Sequence, residues 1–247
     1  MSDAAAPVSD PALKGRVILV TGAHGGLGAA ASVACARAGA TVVLLGRKVP
    51  RLTRVYDAVA AAGREPLLYP LDLEGASADD YAEMAERIGS ELSRLDGVLH
   101  CAASFAGLTP LLQTDPAAFA RAIHVNLTAR WWLTQACLPL LAKADDAAVV
   151  FVLDDLARVG KAFWGGYGLA QHALSGLVGM LQSELAGSKI RVSGLQPGPM
   201  RTPLRAKAYV EEGDIAARDP EVYAEACVTL LSPAGASHRG RIWAPAT

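Results

Sequence analysis

The sequence predicts a single α/β domain whose parallel sheet is covered by helices on both faces. The chain has 247 residues, a common size for one large α/β unit. Short apolar runs alternate along it with longer Ala-rich helical patterns. The short runs are apolar at consecutive positions, which is typical of strands buried on both faces. Right-handed crossovers between such strands produce a Rossmann-type, doubly wound sheet.

Seven strands and six helical segments are predicted in alternation. The strands cover residues 16–21, 41–45, 66–71, 97–101, 147–153, 190–195 and 241–243. The helices cover residues 26–38, 50–62, 77 to about 95, 116–142, 166–186 and 220–231. Asp80 follows Ser77 by three residues, a spacing that predicts a capping box at the third helix. The segment 116–142 is either one helix or two helices with a bend near Asn126.

Composition and charge exclude several classes of protein. Hydrophobic residues make up 52% and charged residues 19% of the chain, which excludes a disordered protein. The net charge of -1 gives no basic surplus for a nucleic-acid partner. No apolar run is long enough for a membrane span. The four cysteines are widely scattered, so we expect no metal site and a reducing, cytoplasmic location.

The segment between the first strand and the first helix is rich in glycine and has the sequence TGAHGGLG over residues 21–28. Gly22 permits a tight turn, Gly26 allows the backbone to approach a ligand, and Gly28 allows the helix to pack on the strand. The helix N-terminus offers free N–H groups to phosphate. A dinucleotide pyrophosphate site is therefore predicted, with a purely structural turn as the alternative. The candidate residues are Thr21, Gly22, His24, Gly26, Leu27 and Gly28.

The spacing TGxxxGxG resembles the short-chain dehydrogenase/reductase family, and the resemblance extends over residues 14–243. Segments 44–47, 95–100 and 164–167 resemble the YciK-type bacterial members. The resemblance implies further cofactor-binding residues beyond the glycine turn. These are Asp72 and Leu73 at the adenine, Cys101, Ala102 and Ala103 after the fourth strand, and Pro197, Gly198 and Thr202 near the nicotinamide.

The end of the second strand bears on the choice of cofactor. An NAD site would place a carboxylate there to bind the ribose 2′-hydroxyl, but the sequence has Arg47 and Lys48. Arg47 can bind a 2′-phosphate with its planar fork, and Lys48 adds charge. NADP(H) is therefore expected in preference to NAD(H). His24 either faces the same phosphate or is an exposed turn residue.

Two of the four catalytic positions implied by the resemblance carry the expected residue, and two do not. Family members reduce carbonyls with Tyr, a Lys four residues later, a Ser thirteen residues before the Tyr, and an Asn on the preceding helix. Tyr167 and Asn126 match this pattern. Gln171 stands in place of the Lys and Asp154 in place of the Ser. Gln171 can bind a ribose hydroxyl but supplies no cation, and an ionised Asp154 raises the pKa of Tyr167.

Three functions remain open at this point. The protein binds NADP(H) with weak or no standard carbonyl reduction, or it reduces carbonyls by an altered mechanism through Tyr167 and a neutral Asp154. The third possibility is a non-enzymatic nucleotide sensor or partner subunit. A contact between His100 and Asp155 is also open, with a surface or capping contact favoured. The substrate stays unidentified.

The remaining expectations concern domain limits, the substrate pocket and assembly. Residues 1–14 are expected to form a flexible arm, residues 15–247 the domain, and residues 200–219 or so a substrate lid. Phe105, Phe163 and Trp164 are candidates for an apolar pocket. Segments 129–136 and 174–185 are apolar around most of their circumference, which together with the family resemblance predicts a homodimer or homotetramer.

Overall fold

A computed structural model of the chain describes residues 10–209 and 217–245. Within them, seven parallel strands form one sheet in the order β3-β2-β1-β4-β5-β6-β7. The strands are β1 Val17–Thr21, β2 Thr41–Gly46, β3 Leu67–Pro70, β4 Gly97–His100, β5 Ala147–Val152, β6 Ile190–Leu195 and β7 Ile242–Trp243. This is the predicted doubly wound sheet, because the chain runs from β1 outward to β3 and then returns to continue from β4 on the other side.

Eight α-helices surround the sheet in the described part of the chain. They are α1 Gly26–Arg37, α2 Val49–Ala62, α3 Ala78–Leu92, α4 Pro116–Ile123, α5 Ala129–Leu141, α6 Leu156–Val159, α7 Gly165–Glu184 and α8 Ala224–Leu231. Helices α1, α2 and α8 bury their apolar side chains on one face, and α3, α5 and α7 bury theirs on the other. Successive β1 residues divide between the two cores: Leu19 faces one and Ile18 the other.

The predicted elements are confirmed in order and type, with ends that differ by a few residues. The capping box at Ser77 and Asp80 is present, and α3 ends earlier than predicted because Ser93 adopts a left-handed conformation. The predicted segment 116–142 is two α-helices joined by a π-helical turn at His124–Thr128, so the two-helix alternative is correct. Helix α6 was not predicted, because four residues are too few to show a helical period.

The domain begins before residue 15. Leu13 is fully buried, and its N–H donates to the carbonyl of Ala38 at 2.8 Å. Residues 10–14 therefore pack on the domain, whereas the sequence predicted an arm as far as residue 14. The expected arm residues 1–9 and the lid residues 210–216 lie outside the described residues. Within the described ranges, no helix is long and apolar enough to cross a membrane.

The sheet places the carboxyl ends of its central strands at one level. Thr21 at the end of β1 is in register with Leu45 on β2 and His100 on β4. The turns that follow these strands, together with the one after β5, surround a cleft of about 380 Å³. Ligands of doubly wound sheets bind at this edge, and the predicted cofactor-binding residues lie there.

Candidate active site

The glycine turn forms one wall of the cleft. Gly22 has φ +65°, and a Cβ atom there would lie 2.7 Å from the Cα of Ala102. A Cβ atom at Gly28 would lie 2.4 Å from the carbonyl oxygen of Gly22. Both positions therefore require glycine. Thr21 accepts a hydrogen bond from Ala102 N at 3.1 Å, which joins the turns after β1 and β4.

The N-terminus of α1 opens onto this wall. Gly25 precedes the helix and provides no side-chain cap, so no side chain satisfies the first N–H groups. Gly25, Gly26 and Leu27 all line the cleft. These N–H groups and the helix dipole make this end of α1 suited to an anion.

Most residues predicted to bind the cofactor line the cleft. They are Gly22, His24, Gly26, Leu27, Arg47, Asp72, Leu73, Cys101, Ala102, Ala103, Tyr167, Gln171, Pro197, Gly198 and Thr202. Thr21, Gly28 and Lys48 are not among the lining residues. Thr21 and Gly28 act through the packing just described. Lys48 is exposed at the start of α2, where its backbone precedes the first helical turn.

A cationic corner lies where β2 ends. His24, Arg47 and Arg51 line the cleft there, and His24 Nδ1 is buried with no hydrogen-bond partner. Burial and the neighbouring Arg51, Lys48 and Arg47 lower the pKa of His24. Arg51 was missed in the sequence, although it stands four residues after Arg47 in the first turn of a predicted helix. Arg47 lies 3.6 Å from Asp72, and both side chains are about half exposed.

The opposite end of the cleft holds the family's reactive positions. The phenol of Tyr167 donates a hydrogen bond to Oδ2 of Asp154 at 3.0 Å. The other oxygen, Oδ1, accepts from the backbone N–H of Asp155 at 2.7 Å and from the guanidinium of Arg158. Asp154 thus accepts three hydrogen bonds, a pattern typical of an ionised carboxylate and not of the neutral acid.

Arg158 reaches Asp154 because of the unpredicted helix α6. Asp155 begins this helix by accepting a hydrogen bond from Ala157 N at 3.0 Å. Arg158 stands four residues after Asp154, and the helical turn brings its side chain back to the carboxylate. The two side chains form a largely buried ion pair. Asp155 therefore caps α6 and has no contact with His100, which instead binds Thr134 at 2.9 Å.

Burial and the nearby carboxylate act on Tyr167 in the same direction. The side chain is 5% exposed, and its burial raises the pKa of the phenol well above the usual value. The charge and the hydrogen bond of Asp154 raise this pKa further, while Arg130 and Arg158 lower it. Both of the larger effects favour a neutral phenol whose proton is directed at Asp154.

The side chains of Gln171 and Asn126 are both hydrogen-bonded to backbone groups. Gln171 is buried beside the cleft, and its Oε1 accepts from Asp154 N at 3.1 Å. Asn126 lies in the π-helical turn and does not line the cleft. Its side chain binds Ser104 N at 2.9 Å, Ser104 O at 2.7 Å and Ala122 O at 2.8 Å. Asn126 therefore holds the segment after β4 against α4.

Aromatic side chains surround the Tyr167 end of the cleft. Phe105 stacks on Trp164 with ring centres 5.0 Å apart and lies 5.1 Å from the ring of Tyr167. Phe163, the third candidate for this pocket, is half exposed and does not line the cleft. Cys101 lines the cleft, but burial raises the pKa of its thiol to about 12. Within the described residues, no cluster of His, Cys, Asp or Glu side chains could hold a metal ion.

A fold with a glycine turn at the first strand and a tyrosine at the far end of the cleft defines a class of dinucleotide-dependent enzymes. Residues 16–213 match the family model for short chain dehydrogenases. The chain therefore belongs to the short-chain dehydrogenase/reductase family. The resemblance identified from its motifs is confirmed.

Individual relatives place the chain near the YciK-type members. It is 38% identical to the oxidoreductase YciK of Escherichia coli (strain K12) over 201 residues, which are 81% of this chain and 79% of YciK. A solved short chain dehydrogenase from Pseudomonas syringae has 41% identity and a TM-score of 0.91, with 96% of each chain covered. A short chain dehydrogenase from Shigella flexneri 2a str. 301, complexed with NADP, has 33% identity and a TM-score of 0.91. That comparison covers 96% of this chain and 99% of the other.

Proposed function

We propose that the protein binds NADP(H) in this cleft, in preference to NAD(H). The observation that carries the proposal is the cationic corner of His24, Arg47 and Arg51 at the end of β2. A 2′-phosphate there would meet two guanidinium groups, whereas a 2′-hydroxyl would meet no carboxylate at the end of β2. The Shigella flexneri relative, whose structure is a complex with NADP, supports the same choice.

Two further features fit such a ligand. The His24 ring lines the cleft in the same corner, so a phosphate bound there can meet it. The uncapped N-terminus of α1 offers its N–H groups to the pyrophosphate. When bound, NADPH would supply the hydride for reduction at the nicotinamide end, where Tyr167 and Asp154 lie.

Thermal unfolding in the presence of nucleotide tests this proposal. A ligand that binds only the folded protein at 100 times its Kd stabilises it by about 2.7 kcal/mol. For a domain of this size, roughly 5–10 °C of increase in Tm is expected. NADPH should raise Tm at lower concentrations than NADH does. The absence of any shift at millimolar NADPH would contradict the proposal.

We also propose that standard carbonyl reduction is strongly weakened in this protein. A family reductase needs a phenol that gives its proton to the substrate oxygen. Here the Tyr167 proton is directed at Asp154, which also places negative charge where the transition state develops it. Gln171 offers no compensating cation from the lysine position. A role in binding or sensing NADP(H), alone or with an active partner subunit, follows from this arrangement.

A second candidate is a working oxidoreductase with an altered mechanism through Tyr167. It is favoured by the ion pair of Asp154 with Arg158, which offsets the negative charge beside the phenol. The neutral form of Asp154 considered from the sequence is disfavoured by its three donors. In this candidate, the phenol must leave Asp154 before it can donate to substrate.

An assay with NADPH and a broad panel of ketones and aldehydes separates these candidates. We expect the wild type to oxidise NADPH no faster than the Tyr167→Phe variant does. Turnover that is substantial in the wild type and lost in Tyr167→Phe would overturn the first candidate and support the second. Substantial turnover that is equally fast in Tyr167→Phe would contradict both candidates, because the first predicts little turnover and the second requires the phenol.

Assembly into a homodimer or homotetramer stays a prediction. Its support is that α5 and α7 each keep large apolar side chains at the surface. Trp131 is 41% exposed and Met180 is 63% exposed. Sedimentation equilibrium of the wild type and of Met180→Glu would test it, because a charge inside such an interface should shift the protein toward the monomer.

A further inference from the structure

A buried arginine without an acidic partner lies beside the reactive end of the cleft. Arg130 is on α5, and its side chain is almost fully buried at 1% exposure. Its guanidinium donates to the carbonyl of Val152 at 3.0 Å and to the carbonyl of Ala102. Among the described residues, no carboxylate forms an ion pair with it, and its Nε has no hydrogen-bond partner.

Such a charge is costly to bury. Carbonyl oxygens satisfy hydrogen bonds but do not neutralise a cation, and an unpaired buried ion costs several kcal/mol. Burial lowers the pKa of Arg130 to about 10, so the group is still positively charged at neutral pH. A lysine in this position would lose its proton more readily. The arginine therefore keeps a positive charge in a place where folding alone would favour an apolar residue.

The guanidinium is held at the edge of the cleft that Tyr167 also lines. Ala102 and Val152, whose carbonyls hold the guanidinium, lie at the ends of β4 and β5, and Val152 is two residues before Asp154. Arg130 itself lines the cleft with Tyr167. The phenol of Tyr167 raises the pKa of Arg130, and Arg130 in turn lowers the pKa of Tyr167, so the two groups interact.

The other charged and titratable groups around this pair do not duplicate its effect. Arg158 faces Tyr167 from α6, but it is committed to the ion pair with Asp154. On the β4 side, Arg130 faces two buried groups. Burial and Arg130 itself lower the pKa of His100, and burial raises the pKa of Cys101, so both are neutral near pH 7. Lys207 also lines the cleft, where its Nζ donates to the carbonyl of Phe105 at 2.7 Å. In the described part of the chain, Arg130 and Arg158 are the cations that act on the pKa of Tyr167, and of these two Arg130 has no carboxylate partner.

We propose that Arg130 supplies to Tyr167, from α5, the buried positive charge that Gln171 does not supply from α7. The inference rests on the second candidate function, in which Tyr167 is the proton donor. In the step concerned, the carbonyl carbon gains the hydride that bound NADPH would supply on its oxidation to NADP⁺, the Tyr167 O–H bond breaks, and its proton moves to the carbonyl oxygen. The product is an alcohol and a phenolate, and Arg130 stabilises that phenolate until solvent returns a proton. Arg130 is a positioning residue, because it acts through Tyr167.

The test follows ionisation of Tyr167 directly and needs neither substrate nor cofactor. The six tyrosines are labelled with ¹³C at Cζ, and Tyr167 is assigned by loss of its NMR signal in Tyr167→Phe. The titration is carried out in an Asp154→Ser background, which removes the carboxylate that keeps the phenol neutral. Adding Arg130→Gln, which removes the charge but keeps an N–H donor for a carbonyl, should weaken the acidity of Tyr167 about tenfold. Arg130→Lys should restore part of it.

Arg239→Gln is the matched control. Arg239 also donates to two backbone carbonyls, of Ser188 and Ile190, and its Nε is also buried without a partner. It is not among the residues that line the cleft. We expect Arg239→Gln to reduce stability while leaving the Tyr167 titration unchanged.

An identical Tyr167 titration with and without Arg130→Gln would overturn the inference. If Arg130→Gln does not fold, the Arg130→Lys titration decides. A buried lysine loses its proton at a lower pH than arginine does, so Tyr167 should titrate differently in Arg130→Lys. Identical Tyr167 titrations in Arg130→Lys and in the protein that keeps Arg130 would overturn the inference. NADPH binding by the wild type, measured by thermal unfolding, is a separate readout. If the wild type does not bind NADPH, the proposed function is contradicted, but the Tyr167 titration still decides the inference about Arg130.

Discussion

Tyr167 donates its phenolic hydrogen bond to Asp154, a residue that stands thirteen positions earlier and lies two residues after the end of β5. In a family reductase, that partner is a serine, which can share a substrate oxygen with the tyrosine. A carboxylate instead accepts the hydrogen bond of the phenol and repels developing negative charge. The two ends of the cleft therefore differ: the N-terminus of α1 is suited to an anion, and the phenol at the other end is hydrogen-bonded to a carboxylate.

The cationic corner at the end of β2 leads to a prediction about cofactor choice. Replacing both Arg47 and Arg51 by Ala should weaken NADPH binding by about 10²-fold, because each charge-assisted hydrogen bond contributes roughly 1.5–3 kcal/mol and partial compensation by His24 is expected. NADH binding should change by less than about threefold. Isothermal titration calorimetry with both nucleotides measures the difference.

Arg54→Ala is the control for this prediction. Arg54 is exposed one turn further along α2 and does not line the cleft. It changes the net charge by one without touching the corner. Equal losses of NADPH affinity in Arg54→Ala and in Arg51→Ala would show that general charge, and not the corner, attracts the nucleotide.

His24 leads to a prediction about pH. Its pKa in the free protein is lowered by burial and by three neighbouring cations, so the ring is neutral near pH 7. A bound 2′-phosphate favours the protonated ring and raises this pKa, so binding takes up a proton and NADPH affinity rises as pH falls. The phosphate titrates in the same range, so the wild type is compared with His24→Gln. The ratio of their NADPH affinities should increase between pH 8 and about pH 6. A constant ratio would mean that His24 does not meet the phosphate.

His100 leads to a prediction about acid stability. The ring is buried between Phe151, at 4.6 Å, and Thr134, and burial followed by the charge of Arg130 lowers its pKa well below the usual value. The folded protein thus binds fewer protons than the unfolded chain at acidic pH. Its free energy of unfolding should fall by up to about 1.4 kcal/mol per pH unit as pH drops below about 6.5.

Urea unfolding of the wild type and of His100→Gln between pH 7.5 and 5 isolates this contribution. The variant is expected to be less stable at pH 7.5, because it loses the stacking on Phe151. Its stability should nevertheless fall less steeply as pH is lowered. Parallel curves for the two proteins would contradict the assignment of this proton to His100.

The alternation of strands and helices and the glycine turn could be predicted because they depend on local sequence. The glycine turn lies between a strand and a helix that are each recognisable from their own residues, and Arg47 follows directly from the end of β2. Arg51 could also have been found, since it stands one helical turn after Arg47. The Tyr167 and Asp154 positions follow from the family resemblance, which implies a tyrosine and a hydrogen-bonding residue thirteen positions before it.

The electrostatic surroundings of Tyr167 could not be predicted in the same way. Arg158 reaches Asp154 only because a four-residue helix turns it back, and so short a helix leaves no periodic pattern. Arg130 belongs to an apolar helix and reaches carbonyls 22 and 28 residues away in sequence.

We propose that Asp154 and the lack of a cation at position 171 are what limit carbonyl reduction by this protein. NADPH oxidation with a panel of ketones by the Asp154→Ser, Gln171→Lys double variant tests this proposal. We predict an increase of about 10²–10³-fold over the wild type, lost again when Tyr167→Phe is added. A double variant that is folded, binds NADPH as tightly as the wild type and reduces none of the ketones would contradict the claim.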